Sequence, residues 1–187
     1  DPKNVLSAAS AAATVGVTPM AIYRHYASMA DLTNAVMSEV LSGIEDEIPK
    51  DADWRRQVEA WLRAVYRRLE GTPQCVNMLS ATNDLNIGWM RSTAILRTCL
   101  QSGGFHGKEL TEAGFWITTS LFGYAHQSLS FPIEESIRKS LAALEKLPPQ
   151  EAEQLSFFPN ALRYIATQGL DVIVVRIISA LEPSSPR

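Results

Sequence analysis

The stretch Gly16-Val-Thr-Pro-Met-Ala-Ile-Tyr-Arg-His-Tyr26 decides the fold of this 187-residue chain. Gly16 supplies a backbone free to take positive φ, Thr18 can cap a following helix through its hydroxyl, and Pro19 suits the first helical position, where no amide donor is needed. The spacing predicts a helix beginning at Pro19. Ile22 and Tyr26 lie four apart and share one face, with Met20, Tyr23 and Arg24 spread over the others. One side of that helix docks on protein and another is left free to read. Upstream, the alanine-rich run from Ser7 to Val15 predicts a first helix capped by Ser7 and ending at Gly16. Two short helices crossing at a glycine turn make a helix-turn-helix, whose second helix suits a DNA major groove. Downstream, Ser28 can cap a third helix with Asp31 in its first turn and Leu32, Ala35, Val36, Val40 and Leu41 as its apolar stripe.

From Asp53 onward the chain reads as helices separated by turn signals, with neither strand alternation nor internal repeat. Asp53 or Asp51 caps a long helix carrying Trp54, Val58, Trp61, Leu62, Val65, Tyr66 and Leu69, which ends at Gly71-Thr-Pro73. Its arginines 55, 56, 63, 67 and 68 read as a solvated face. Further helices are expected over about 74–81, 88–101, 110–129 and 133–147, with a loop at 83–86 and the turn Ser102-Gly-Gly104. The segment 150–156 after Pro148-Pro149 reads as a mobile linker, and Phe158-Pro159 opens a last pair of segments. No Asp, Glu, Lys or Arg occurs from Ala113 to Ile133, yet Thr118, Thr119, Ser120, His126, Gln127, Ser128, Ser130 and Pro132 make this run too polar for a lipid span. A helix enclosed by others is expected there.

Composition places the chain among compact cytoplasmic proteins, with 46% hydrophobic and 20% charged residues and a net charge of −3. Cys75 and Cys99 are read as two reduced, buried thiols. His25, His106 and His126 are scattered without metal-ligand spacing, so neither a metal nor a cofactor is expected. The sequence has no Gly-x-Ser-x-Gly elbow, phosphate loop or dinucleotide fingerprint, and the chain is read as a non-enzyme.

The residues Ala11-Ala12, Gly16-Val17-Thr18, Ile22-Tyr23-Arg24-His25-Tyr26, then Asp31-Leu32 and Val36, resemble the DNA-binding end of the tetracycline-repressor (TetR) family. Trp54-Arg55 with Arg67 and Pro73 resembles the start of that family's regulatory domain, of the tetracycline-repressor type. Gly169-Leu170-Asp171 ahead of an apolar helix resembles its closing dimerisation helix. Met29 stands where the family usually carries a phosphate-contacting lysine. Only Asp1-Pro-Lys-Asn-Val-Leu6 precedes Ser7, too short for the amphipathic helix that opens family members, so that first helix is expected to be missing or incomplete.

The expectation is an all-α protein with a helix-turn-helix DNA-binding domain over 1–45 and a larger C-terminal helical ligand-binding and dimerisation domain over 50–183. The DNA-facing candidates are Ser7, Thr18, Pro19, Met20, Ala21, Tyr23, Arg24 and His25. Tyr23 and His25 can hydrogen-bond phosphates, Arg24 a phosphate or guanine edge, and Met20 with Ala21 can meet thymine methyl groups. A small apolar or aromatic effector is expected among Trp61, Tyr66, Trp89, Phe115, Trp116, Thr119, Phe122 and His126, because Trp116, Thr119, Phe122 and His126 recur at helical spacing with mixed polarity. The final helix is apolar nearly all round, and Leu170, Ile173, Val174, Ile177, Ile178 and Leu181 are the homodimer candidates. The whole describes a regulator, most simply a repressor of a palindromic operator on double-stranded DNA. A small-molecule-binding helical module without DNA activity is the alternative, since residues 1–42 hold only Lys3 and Arg24 against Asp1, Asp31 and Glu39.

Overall fold

The computed structural model describes residues 7–81, 86–130 and 132–181, with the side chains of 78–81 outside that description. Among the described residues every regular element is helical. Three short helices come first, α1 (Ala8–Val15), α2 (Pro19–His25) and α3 (Met29–Val40), followed by a 3₁₀ turn at Ile44–Glu47. The larger part comprises α4 (Trp54–Gly71), α5 (Gln74–Ala81), α6 (Ile87–Ser102), α7 (Gly107–Ser130), α8 (Ile133–Leu144), α9 (Pro149–Leu155), α10 (Phe157–Gln168) and α11 (Asp171–Ala180).

Local chemistry sets the boundaries. Ser7 and Ser10 form a reciprocal capping box at the start of α1, and Gly16 closes that helix at φ 71°, a left-handed conformation that suits glycine. The Thr18 hydroxyl accepts the Ala21 amide at 3.3 Å, and Pro19 occupies the first turn of α2. Ser28 accepts the Asp31 amide at 3.1 Å to start α3. Of the two candidates for α4, Asp53 is the cap, accepting from the amides of Arg55 and Arg56 at 2.9 and 3.2 Å.

The core gathers around α4. Val58, Trp61, Leu62, Val65 and Leu69 are fully buried, and they meet Leu96 and Leu100 of α6, Ile117 and Leu121 of α7, and Val174 and Ile177 of α11. Met37 and Ile44 have no exposed surface and join the same cluster, so the helix-turn-helix end is packed onto α4 and α6. Full burial of a side chain of this size contributes about 1.5 to 3 kcal/mol. Cys75 and Cys99 are free and buried, as the composition implied.

Three expectations need correction. Segment 150–156 is not an open linker: Pro149 starts α9, and Gln150-Glu-Ala-Glu-Gln-Leu155 are helix-favouring residues behind a proline with preset φ. The arginine face of α4 is not simply solvated. Arg63 bridges to Asp171 at 2.7 Å, and Arg67 and Arg68 both reach Glu47, at 2.8 and 2.7 Å. Nor is α7 enclosed within the chain. Its inner side buries Ala113, Ile117, Leu121 and Ala125, while Phe115 and Trp116 on the other side are 72% and 42% exposed. The expected loop at 83–86 and the segment before Ser7 fall mainly outside the described residues, with Asn86 described as the cap of α6. No helix among the described residues is long and apolar enough to cross a membrane.

Candidate DNA-reading helix and aromatic cluster

No residue of α2 is fully buried. Ile22 and Tyr26 turn partly inward as their four-residue spacing implied, while Thr18, Pro19, Met20, Tyr23, Arg24 and His25 are exposed and Ala21 is half-buried. Met20 is 72% and Tyr23 48% exposed. Met20 and Tyr23 thus stand toward solvent on a short helix capped by Thr18, beside the exposed side chains of Arg24 and His25. Ser7 does something else. It is exposed, but its hydroxyl and amide are engaged with Ser10 in the cap of α1.

The helix-turn-helix end is tied to the rest by polar bonds as well as by its core residues. Arg68 donates to the carbonyls of Val40 at 3.3 Å and Ser42 at 2.9 Å, closing the C-terminal end of α3, and to the Glu47 carboxylate. That carboxyl is held below its ordinary range, chiefly by the Arg68 hydrogen bond, with Arg67 adding to it. The side-chain oxygen of Asn34 accepts the Ile87 amide at 3.2 Å at the start of α6.

The expected effector residues divide into three groups. Trp61 is core, with no exposed surface and its indole N–H donating to the Ser92 carbonyl at 2.8 Å. Phe115, Trp116 and Thr119 point away from the bundle on the open side of α7. Phe115 lines a groove of about 280 Å³ between α6 and α7, with Thr93, Leu96, Leu110 and Thr118 among its other walls. The remaining residues come together. Trp89 and Phe122 meet edge to face with ring centres 6.4 Å apart, and Phe122 lies 6.3 Å from His126. Tyr66 packs against Tyr124 with ring centres 5.4 Å apart and the rings tilted by 49°, and its hydroxyl lies 3.2 Å from the Ser128 hydroxyl. Ser128 spends its own proton on the Tyr124 carbonyl at 2.9 Å, so Tyr66 is the donor of that pair. Burial, and then the neighbouring Tyr66, push the Tyr124 phenol far above its ordinary range. Sequence reasoning missed both: Tyr124 was not singled out, and Ser128 counted only among the polar residues of the run from Ala113 to Ile133.

The six residues expected at a dimer interface largely face inward. Val174, Ile177 and Leu181 are 3%, 2% and 6% exposed within the single chain, and Leu170, Ile173 and Ile178 pack against the same core. Periodicity could not separate an inner from an outer face on a helix that is apolar all round. The outward side of α11 carries Val175, 63% exposed. No group of three or more His, Cys, Asp or Glu that could hold a metal occurs among the described residues.

No protein-family model matches the chain, and no curated protein does. Solved structures do. A possible TetR family transcriptional regulator from Streptomyces coelicolor A3(2) superposes with a TM-score of 0.74 at 18% identity, covering 93% of this chain and 87% of that one. Apo ActR from Streptomyces coelicolor gives 0.67 at 19% identity, covering 94% and 86%. The Streptomyces coelicolor TetR family protein ActR in complex with actinorhodin gives 0.63 at 17% identity, covering 93% and 87%. The chain has the fold of TetR family regulators.

Proposed function

We propose that this protein is a homodimeric DNA-binding transcriptional regulator, a repressor released from a palindromic operator by a small apolar or aromatic effector. The observation that carries the reading is α2, a capped helix whose Met20, Tyr23, Arg24 and His25 are exposed and whose Ile22 anchors it. Its residues divide by chemistry. Tyr23 and His25 serve phosphates, Arg24 a phosphate or guanine edge, and Met20 with Ala21 thymine methyl groups. Thr18 and Pro19 bring the helix N-terminus toward the backbone, where its amides favour anions. The fold shared with ActR, whose own structure with actinorhodin is a ligand complex, supports the effector half of the reading.

Two recognition helices must lie about 34 to 36 Å apart to enter successive major grooves, which requires a two-fold dimer. The exposed apolar residues Phe115, Trp116 and Val175 on α7 and α11 supply the surface for it. The effector site is the cluster of Trp89, Phe122, His126, Tyr66 and Tyr124, whose rings provide apolar contact and whose phenols and imidazole fix orientation. An effector that prefers another spacing of the two α2 helices shifts the population away from the DNA-bound form. With coupling of about 1 to 3 kcal/mol, release is a 5- to 150-fold loss of affinity.

Selection of genomic fragments by the full-length protein at near-physiological salt tests the proposal. Enrichment of one palindrome supports it. Salt-sensitive retention without enrichment, or no retention, overturns it.

A further inference from the structure

We propose that the groove between the end of α3 and the start of α6 is a second small-molecule site, built for a compact hydroxylated aromatic carboxylate. Its effect on DNA rests on the regulator reading above, whereas binding itself does not. The groove encloses about 330 Å³, at the small end of the range of about 300 to 1,000 Å³ for ligand sites. One wall belongs to the helix-turn-helix end, with Ser38, Leu41 and Glu45, and the other to α6, with Arg91, Ser92 and Ile95.

Three features define the occupant. Leu41 and Ile95 supply the apolar part of the lining, which suits a hydrocarbon ring. Ser92 is 1% exposed, and its hydroxyl is the buried side-chain polar atom left without a hydrogen-bond partner among the described residues. An unpaired buried hydroxyl is unfavourable, so a ligand hydroxyl that reaches it restores a bond the chain itself does not make. Arg91 lines the same groove and is exposed, with no ion pair to hold it among the described residues. Its planar fork matches a carboxylate in two parallel hydrogen bonds.

The walls of the groove also meet at Gly88. A Cβ there would lie 2.6 Å from the carbonyl carbon of Met37 and the amide nitrogen of Ser38, so α3 and α6 touch backbone to backbone beside the groove. There is no slack at that crossing. A molecule seated between the two walls therefore changes how α3, and α2 with it, is held against the larger helical part.

The test uses 4-hydroxybenzoate as the probe, titrated into the full chain and followed by backbone amide NMR shifts. Shifts concentrated in residues 38–45 and 88–95, with affinity about tenfold weaker in Arg91→Gln, are expected. Ser92→Ala, a change that removes only the hydroxyl, is expected to weaken 4-hydroxybenzoate and leave benzoate unchanged. Shifts centred on Phe122 and His126, no shifts, or equal affinity in Arg91→Gln would overturn the site. With an enriched duplex in hand, the probe is expected to alter operator affinity in the wild type and not in Arg91→Gln. Unchanged affinity with the probe bound would overturn the regulatory effect. Failure to bind any duplex would count against the regulator reading alone, because the NMR titration decides the site without DNA.

Discussion

Gly88 shows how much one hydrogen atom decides. A methyl there meets backbone at 2.6 Å, whereas at Gly114 in α7 the nearest heavy atom is a Leu100 methyl at 4.0 Å. Gly88→Ala is expected to lose about 1 to 3 kcal/mol in urea unfolding, the usual cost of overpacking, and to shift the amide resonances of Met37 and Ser38. Gly114→Ala is expected to be neutral or stabilising by up to about 1 kcal/mol, since helical glycine carries an entropic penalty without a steric reason here. Equal losses at both positions would contradict the tight crossing. The cysteines give a second residue-scale expectation. Burial pushes the Cys99 thiol up from 9.0 to about 11 and raises Cys75 as well. Neither should react with a thiol reagent at pH 8 until the chain unfolds. Because the folded state holds these protons more tightly, stability should fall as pH rises from about 9 toward 11, where the unfolded chain ionises first. Rapid labelling of the native protein would contradict the burial.

At the scale of elements, what the sequence made legible was whatever local chemistry alone determines. Thr18, Pro19 and Gly16 placed α2 because a cap, a preset φ and a left-handed turn need no distant partner. Side-chain direction on α7 and α11 was not legible, because it depends on which face α4 covers. Trp116 and Thr119 share the spacing of the expected pocket face yet turn outward, while Val174 and Ile177 turn into the chain's own core. Of the expected effector residues, Trp89, Phe122 and His126 met one another, and Tyr66 found an unanticipated partner in Tyr124. The long-range ion pairs of Arg63, Arg67 and Arg68 were not legible for the same reason, since Glu47 and Asp171 come near only in the folded chain. Glu47 joins the 3₁₀ turn to α4 through Arg67 and Arg68, and its folded pKa is lowered. The stability it contributes is present above the ordinary carboxylate range and is lost as pH falls through the lowered folded value. Glu47→Gln is expected to flatten that acid limb and to cost no more than about 1 kcal/mol at neutral pH, as for other partly exposed ion pairs. An acid limb identical to wild type in urea melts between pH 3 and 6 would contradict this role.

At the scale of the whole molecule, the proposed function makes two-fold symmetry and DNA reading one question, because a palindrome calls for two copies of α2. Val174 cannot test the dimer, since an aspartate at a site 3% exposed would damage the core of each copy. Val175→Asp and Phe115→Lys can, because those positions are 63% and 72% exposed. Both are expected to keep the thermal midpoint of an isolated chain and to halve the mass seen by light scattering; an unchanged dimer would place the interface elsewhere. The central claim is that α2 reads DNA, and Tyr23, half-exposed and outside the core, isolates it. The most direct measurement is an anisotropy titration of the selected duplex with wild type and Tyr23→Ala, alongside their melting curves. The account predicts tight, salt-dependent binding by the wild type, at least tenfold weaker binding by the variant, and superimposable melts. Equal affinity for both proteins, with equal melts, would contradict it.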